Sequence, residues 1–382
     1  MFTRGPSHVD FNLTNGCNLA CAHCHSSSGP KLDNELKTPE ILKVIKELHE
    51  MGTLKIAFAG GEPFIRRDIL DILEYSCKLP GWTVSVITNG LFFRDNIVAD
   101  LKKRCPGLVL NVSIDGSTPD NYTVLRKQLN NPRFDPVPVF EKVKAGVKKV
   151  VNEGFETSVN FTITKATIED ILPTYNLAME LGAKSFVGIK FFPGGYGKKH
   201  LDEFELPFWL WSQTFSKLTS LKLNGEIPHM QISVPSAWEF YLPLIEGNIN
   251  LEQAEGIWNY RSPLREKLYS AHTSIGDVLG KMEISVSSNG DVYPTVLLIG
   301  EDNARCGNLR KSSMREIWTE SPVLNKIRNM DIHDIDGQCE QCKLQEVCGG
   351  GSRSRSFSQT KNLNGKDYMC PIVNKGGVLT SV

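Results

Sequence analysis

The 382-residue chain carries no excess charge of either sign, since 43 Lys and Arg balance 43 Asp and Glu. That balance argues against a broad basic surface for nucleic acid or an anionic membrane. No apolar run approaches the roughly 20 residues of a membrane-spanning helix. The N-terminus, MFTRGPSHVDFNLT, has neither the apolar core of a secretory signal nor an arginine-rich transit pattern. A cytoplasmic protein is the expectation. Internal repeats and low-complexity segments are also missing, and the composition is that of an ordinary globular chain. The length gives room for one large domain and one small one. What the chain does have is ten cysteines. Without an export signal, these point to metal binding before disulfides.

Three of them stand close together, Cys17, Cys21 and Cys24 in NGCNLACAHCHSSSG. Closely spaced thiolates bind zinc or an iron–sulfur cluster, and both usually take four protein ligands. No fourth cysteine follows at short spacing. Three ligands on a cubane leave one iron open, and an open metal position is a place for chemistry. A zinc knuckle with a distant fourth ligand is the competing reading.

Downstream, strand-like runs alternate with helix-like ones. The strands are expected at His8–Leu13, Leu54–Ala59, Thr83–Thr88, Leu108–Ile114, Thr157–Thr164 and Ser185–Phe192. Helices are expected at Pro39–Met51, Arg67–Lys78, Arg94–Arg104, Val137–Gly154 and Ile168–Gly182. Six β/α units in a row imply an α/β fold with a parallel sheet and right-handed crossovers. The second strand runs into Gly60-Gly61-Glu62-Pro63, the third into Asn89-Gly90, and the fourth carries Ser113 and Asp115. Glycines at a strand end let a backbone come close to a ligand.

The CxxxCxxC triplet followed by GGEP and these strand ends resembles the radical S-adenosylmethionine (radical SAM) enzymes. The resemblance implies a partial (β/α)6 TIM-type barrel with its ligands at the strand C-termini. It also implies that Cys17, Cys21 and Cys24 hold a catalytic [4Fe–4S] cluster whose open iron chelates SAM. Gly60, Gly61 and Glu62 would meet the methionine amino group, and Asn89 would join them in holding SAM. Ser113 and Asp115 would lie near the ribose, and Arg126 would pair with the methionine carboxylate. His23, Gly188 and Ile189 would sit near the adenine.

Near residue 193 the pattern changes to the glycine-rich FFPGGYGKK, an amphipathic helix in ELPFWLWSQTFSKLTSLKL, and one further strand in HMQISVPS. Trp209, Trp211, Trp238, Tyr241 and Trp258 crowd this stretch. Aromatics of this kind belong mainly to a core, with lining a substrate site as the alternative. The last hundred residues begin with a hairpin signal, EISVSSNGDVYPTV, turning at Asn289-Gly290. A helix over SSMREIWTESPVLNKIRNM follows, then Cys339, Cys342, Cys348 and Cys370, four thiolates that could hold zinc or a [4Fe–4S] cluster. Arg353 and Arg355 in GSRSRSFSQTK read as part of a solvated loop. Cys306 reads as a buried thiol, and Cys77 and Cys105 as structural.

This C-terminal stretch resembles the SPASM domain of radical SAM enzymes, through GDVYP and the GNL…EIW lead-in. Thr295 and Ser352 stand where that family carries cysteines of a second auxiliary cluster, so the resemblance implies a truncated, twitch-like form with one auxiliary [4Fe–4S]. The expected organisation is a barrel over 1–200, a bridge over 201–275 and an auxiliary-cluster domain over 276–382. The expected activity is reductive cleavage of SAM and hydrogen abstraction from a small biosynthetic substrate. A flavodoxin or ferredoxin would donate electrons, and the auxiliary cluster would accept or relay them. Peptide maturation stands second, because the triplet begins at residue 17 and leaves no room upstream for a leader-binding domain. An iron–sulfur electron carrier or a zinc-stabilised binding protein stands as the alternative of another class.

Overall fold

The computed structural model describes residues 3–127, 135–268, 274–337 and 339–374. Ten strands form one sheet: β1 (His8–Thr14), β2 (Lys55–Gly60), β3 (Thr83–Thr88), β4 (Val109–Ser113), β5 (Thr157–Ile163), β6 (Ser185–Lys190), β7 (Met230–Ser233), β8 (Glu283–Val286), β9 (Asp291–Tyr293) and β10 (Gly307–Asn308). Their spatial order is β10-β9-β8-β1-β2-β3-β4-β5-β6-β7. The first seven run parallel, each beside its sequence neighbour. The six expected strands are therefore present, and β7 extends them.

The C-terminal hairpin does not stand apart from this sheet. β8 pairs in parallel with β1, His8 opposite Glu283, while β9 and β10 turn back antiparallel. The turn uses Gly290 at φ +87°, a conformation glycine adopts without steric cost. The helices cover the outer face. Thr38–Glu50 buries Ile41, Val44, Ile45 and Leu48, the spacing of one helical face. It starts a residue earlier than expected, because Lys37 N–H bonds Glu40 and the Thr38 hydroxyl donates to Asp68 instead of capping.

One further departure has a physical cause. The expected helix over 312–330 is two helices, Met314–Glu320 and Pro322–Asn329. Pro322 has no N–H to continue the first and pushes Ser321 to an extended ψ of 122°. The aromatic stretch after β7 contains the helices Trp238–Glu246 and Leu251–Trp258. Trp238, Tyr241 and Trp258 are buried there, as is Trp211 in the helix Phe208–Leu223 before β7, and only Trp209 of the five is exposed, at 67%.

Candidate active site

The β1–β2 connection carries the three cysteines across the open ends of the strands. Its backbone is tied at several points: Cys17 N–H donates to Gly29, Ala20 N–H to Lys127 and Ala22 N–H to Leu125. The strand end of β2 docks directly onto this loop. Gly61 N–H donates to Thr14 O at 2.7 Å and Glu62 N–H to Gly16 O at 2.8 Å. A Cβ on Gly61 would run into the Gly16 carbonyl, and Gly60 adopts φ +125° against Thr14. The glycine pair thus serves a backbone-to-backbone approach to the cysteine loop.

Behind the loop lies a cavity of about 510 Å³. Cys17, Cys21, Cys24, His23, Gly60, Gly61, Asn89, Ser113, Arg126 and Ile189 all line it. The structure brings these expected residues together from six different strand ends and loops. Three others take different places. Glu62 is fully buried and accepts from Phe64 N–H, the Thr88 hydroxyl and Asn89 N–H, locking the β2 end to the β3 end. Asp115 is 1% exposed and lies behind Arg126, accepting from its Nε at 2.5 Å and from Thr162 N–H at 2.6 Å. Gly188 faces Ile163, Ile171 and Ile232 on the helical side of the sheet, so Ile189 alone of that pair turns to the cavity.

Electrostatics follow from this packing. Burial pushes the Cys17 thiol up to about 11 and Cys21 up to about 12. Thiolate formation here therefore calls for a cationic partner, and metal binding would release protons. Burial disfavours charge on Arg126, yet Asp115 keeps it firmly cationic, and its Nη1 stands 3.8 Å from Cys21 Sγ. His23 lies 3.5 Å from Asp115, but burial outweighs that carboxylate and lowers its pKa to about 4. A neutral imidazole and a fixed guanidinium therefore flank the cysteines.

Several lining residues gave no signal in the sequence. Lys190, at the end of β6, Asp10, Asp277, Glu283 and Ser354 are among them, and they line the cavity with Thr295 and Ser352, the two positions that the sequence marked as lacking cysteines. The last five come from the C-terminal third, so the cavity is shared between barrel and hairpin domain. Cys339, Cys342, Cys348 and Cys370 converge on a second, small cavity with Trp238 and Asp367. All ten cysteines are free thiols. Among the described residues, no three His, Cys, Asp or Glu side chains close around a single point as a lone metal ion requires. Cys306 is buried, lines neither cavity, and donates to Ala304 O. Arg353 and Arg355 are fully buried, contrary to the solvated loop expected for them. Arg353 binds the carbonyls of Leu363 and Gly365, and Arg355 binds two carboxylates.

The sequence model of the radical SAM superfamily matches residues 11–178, and that of the SPASM iron–sulfur cluster-binding domain matches residues 279–343. The chain belongs to the radical SAM superfamily. It is a radical SAM enzyme with a SPASM domain, and its partial barrel is the fold of that family. An AdoMet-dependent heme synthase of Methanosarcina barkeri is 28% identical over 96% of this chain and 97% of its own. The mycofactocin maturase MftC of Mycolicibacterium smegmatis is 23% identical over 97% of this chain and 84% of its own. Among solved structures, Streptococcus suis SuiB bound to its precursor peptide SuiA superposes with a TM-score of 0.75, at 17% identity, over 97% of this chain and 77% of SuiB. That likeness is one of fold. Radical SAM and SPASM domains imply iron–sulfur clusters and SAM binding.

Proposed function

We propose that the chain cleaves SAM reductively at the cysteine-lined end of the cavity and abstracts hydrogen from a biosynthetic substrate held in the same cavity. The observation carrying this reading is one cavity lined both by Cys17, Cys21 and Cys24 and by Thr295, Ser352 and Ser354. A [4Fe–4S] cluster on the three cysteines would supply the electron that converts SAM to methionine and a 5′-deoxyadenosyl radical. The protein's own part is placement. Arg126, fixed by Asp115, presents its guanidinium for a carboxylate. The backbone of Gly60 and Gly61, with Asn89 and Ser113, offers polar groups along the same wall. Apolar lining such as Ile87, Ile189 and Phe191 excludes water, which a reactive carbon radical requires.

Cys339, Cys342, Cys348 and Cys370 would hold one auxiliary [4Fe–4S] cluster. The four cysteines line one small cavity, and the match to the iron–sulfur cluster-binding SPASM domain favours iron over zinc there. A flavodoxin or ferredoxin would supply electrons in the cytoplasm. For the substrate, the end-to-end match to heme synthase favours a tetrapyrrole precursor. The match to the mycofactocin maturase supports a peptide as the second reading.

Anaerobically reconstituted protein given dithionite and SAM is expected to release 5′-deoxyadenosine, and Cys21→Ala is expected to abolish it. Undiminished cleavage by that variant would overturn the assignment. Iron should count about eight per chain, falling to about four in Cys342→Ala with SAM cleavage retained. Deuterium passing from a labelled tetrapyrrole or peptide into 5′-deoxyadenosine would decide between the two substrates.

A further inference from the structure

The two cavities are joined by an unbroken line of buried charge. Lys190 lines the large cavity, and its Nζ donates to Glu239 Oε1 at 2.5 Å. The same oxygen accepts from Arg355 Nη1 at 2.9 Å. Arg355 then holds Asp367 with two bonds, Nε to Oδ1 at 3.0 Å and Nη2 to Oδ2 at 2.7 Å. Asp367 also accepts from the Trp238 indole and Ser352 N–H, and it lines the cavity of the four cysteines. None of the four charged side chains is more than 2% exposed.

Such a line is costly to build. Buried ion pairs recover their desolvation cost only with good geometry, and apolar replacements are often as stable. The arrangement is also one-dimensional, with signs alternating from the large cavity to the cysteines. Trp238 packs against both cations, 6.0 Å from Lys190 and 5.4 Å from Arg355, which keeps water out. Among the described residues, Glu239 Oε2 has no hydrogen-bond partner. Oε1 alone takes both charged hydrogen bonds, so the negative charge of Glu239 is fixed in place between the two cations. In a low-dielectric interior its field reaches the neighbouring thiolates with little screening.

We infer that Lys190, Glu239, Arg355 and Asp367 form one electrostatic device that sets the reduction potential of an iron–sulfur centre at Cys339, Cys342, Cys348 and Cys370. The inference rests on the reading that these cysteines hold such a cluster. Glu239 and Arg355 are positioning residues that act on the centre through Asp367. Reduction adds negative charge to the cluster, so each cation favours the reduced form and each anion the oxidised form. The balance of the four charges therefore sets how readily the cluster accepts an electron and how readily it gives one up.

The test is an EPR-monitored redox titration of the auxiliary cluster in full-length protein, with iron content measured in parallel. Glu239→Gln is expected to move the midpoint to more positive potential, and Arg355→Gln to more negative potential. Lys190→Met is expected to move it in the same direction as Arg355→Gln but by less, being further along the line. Arg355→Lys keeps the charge and is expected to hold the wild-type potential, which covers the case in which Arg355→Gln does not fold. Shifts of one sign for all variants, or none with iron unchanged, would overturn the inference alone. A wild-type chain with no second cluster would remove the reading of the four cysteines and the inference with it.

Discussion

Asp115 stands behind Arg126 and meets no open space itself, so its influence on a ligand passes through that guanidinium. Asp115→Asn and Arg126→Ala are each expected to weaken SAM binding by roughly 1–3 kcal/mol. Because both act through one group, the double variant should lose little more than the worse single variant. Equilibrium dialysis of SAM against the reconstituted proteins measures this, and fully additive losses would show that Asp115 makes a contact of its own. The lining residues at the ends of β2, β3 and β4 were legible because they follow a recognisable cysteine spacing. Arg353 and Arg355 were not, since GSRSRSFSQTK is polar apart from Phe357 and looks like surface. The burial of Arg355 rests in part on Glu239, 116 positions away. No local pattern carries such a partnership.

At the scale of the element, the β2 end and the cysteine loop behave as one unit. Gly61→Ala would drive a methyl group into the Gly16 carbonyl and displace the loop. The expected result is a loss of about four irons per chain with helix and strand content preserved. Gly107→Ala, where an added Cβ meets nothing within 4 Å, is the control and should leave iron unchanged. Iron analysis with circular dichroism reads both, and full iron in Gly61→Ala would show that the glycine serves something other than this contact. The parallel strands could be read in advance because their alternation and terminal glycines are local. The helix Pro119–Leu125 could not be read from periodicity, being only seven residues long. Its one signal was Thr118-Pro119, a cap followed by proline, and it is this short helix that delivers Arg126.

Across the whole molecule, the β1–β8 seam fastens the hairpin domain to the barrel and buries ionisable groups on the cavity side. Burial, reinforced by Asp10, raises Glu283 to about 7 from its ordinary 4.5. The folded protein then keeps a proton that the unfolded chain releases, so this group's contribution to stability falls as pH rises from about 4.5 to about 7. Glu283→Gln is expected to remove that slope, leaving the variant more stable than wild type at pH 8 and similar below pH 4.5. Urea unfolding of the apoprotein at several pH values checks it, and parallel curves for the two proteins would refute it. That the hairpin would add to the barrel's own sheet was not visible in the sequence, because pairing partners across a fold leave no spacing to read.

The same seam has a consequence for how the chain is made. β1 emerges early but finds its second neighbour only when Glu283–Val286 has been synthesised. At about 5–20 residues per second, that leaves one edge of the strand bare for roughly 15–55 s on the ribosome. An open parallel edge is a template for wrong pairing with other chains. The interval therefore marks the nascent barrel as a client for chaperones, and slowing translation between β7 and β8 should lower the yield of soluble protein before it lowers the amount synthesised.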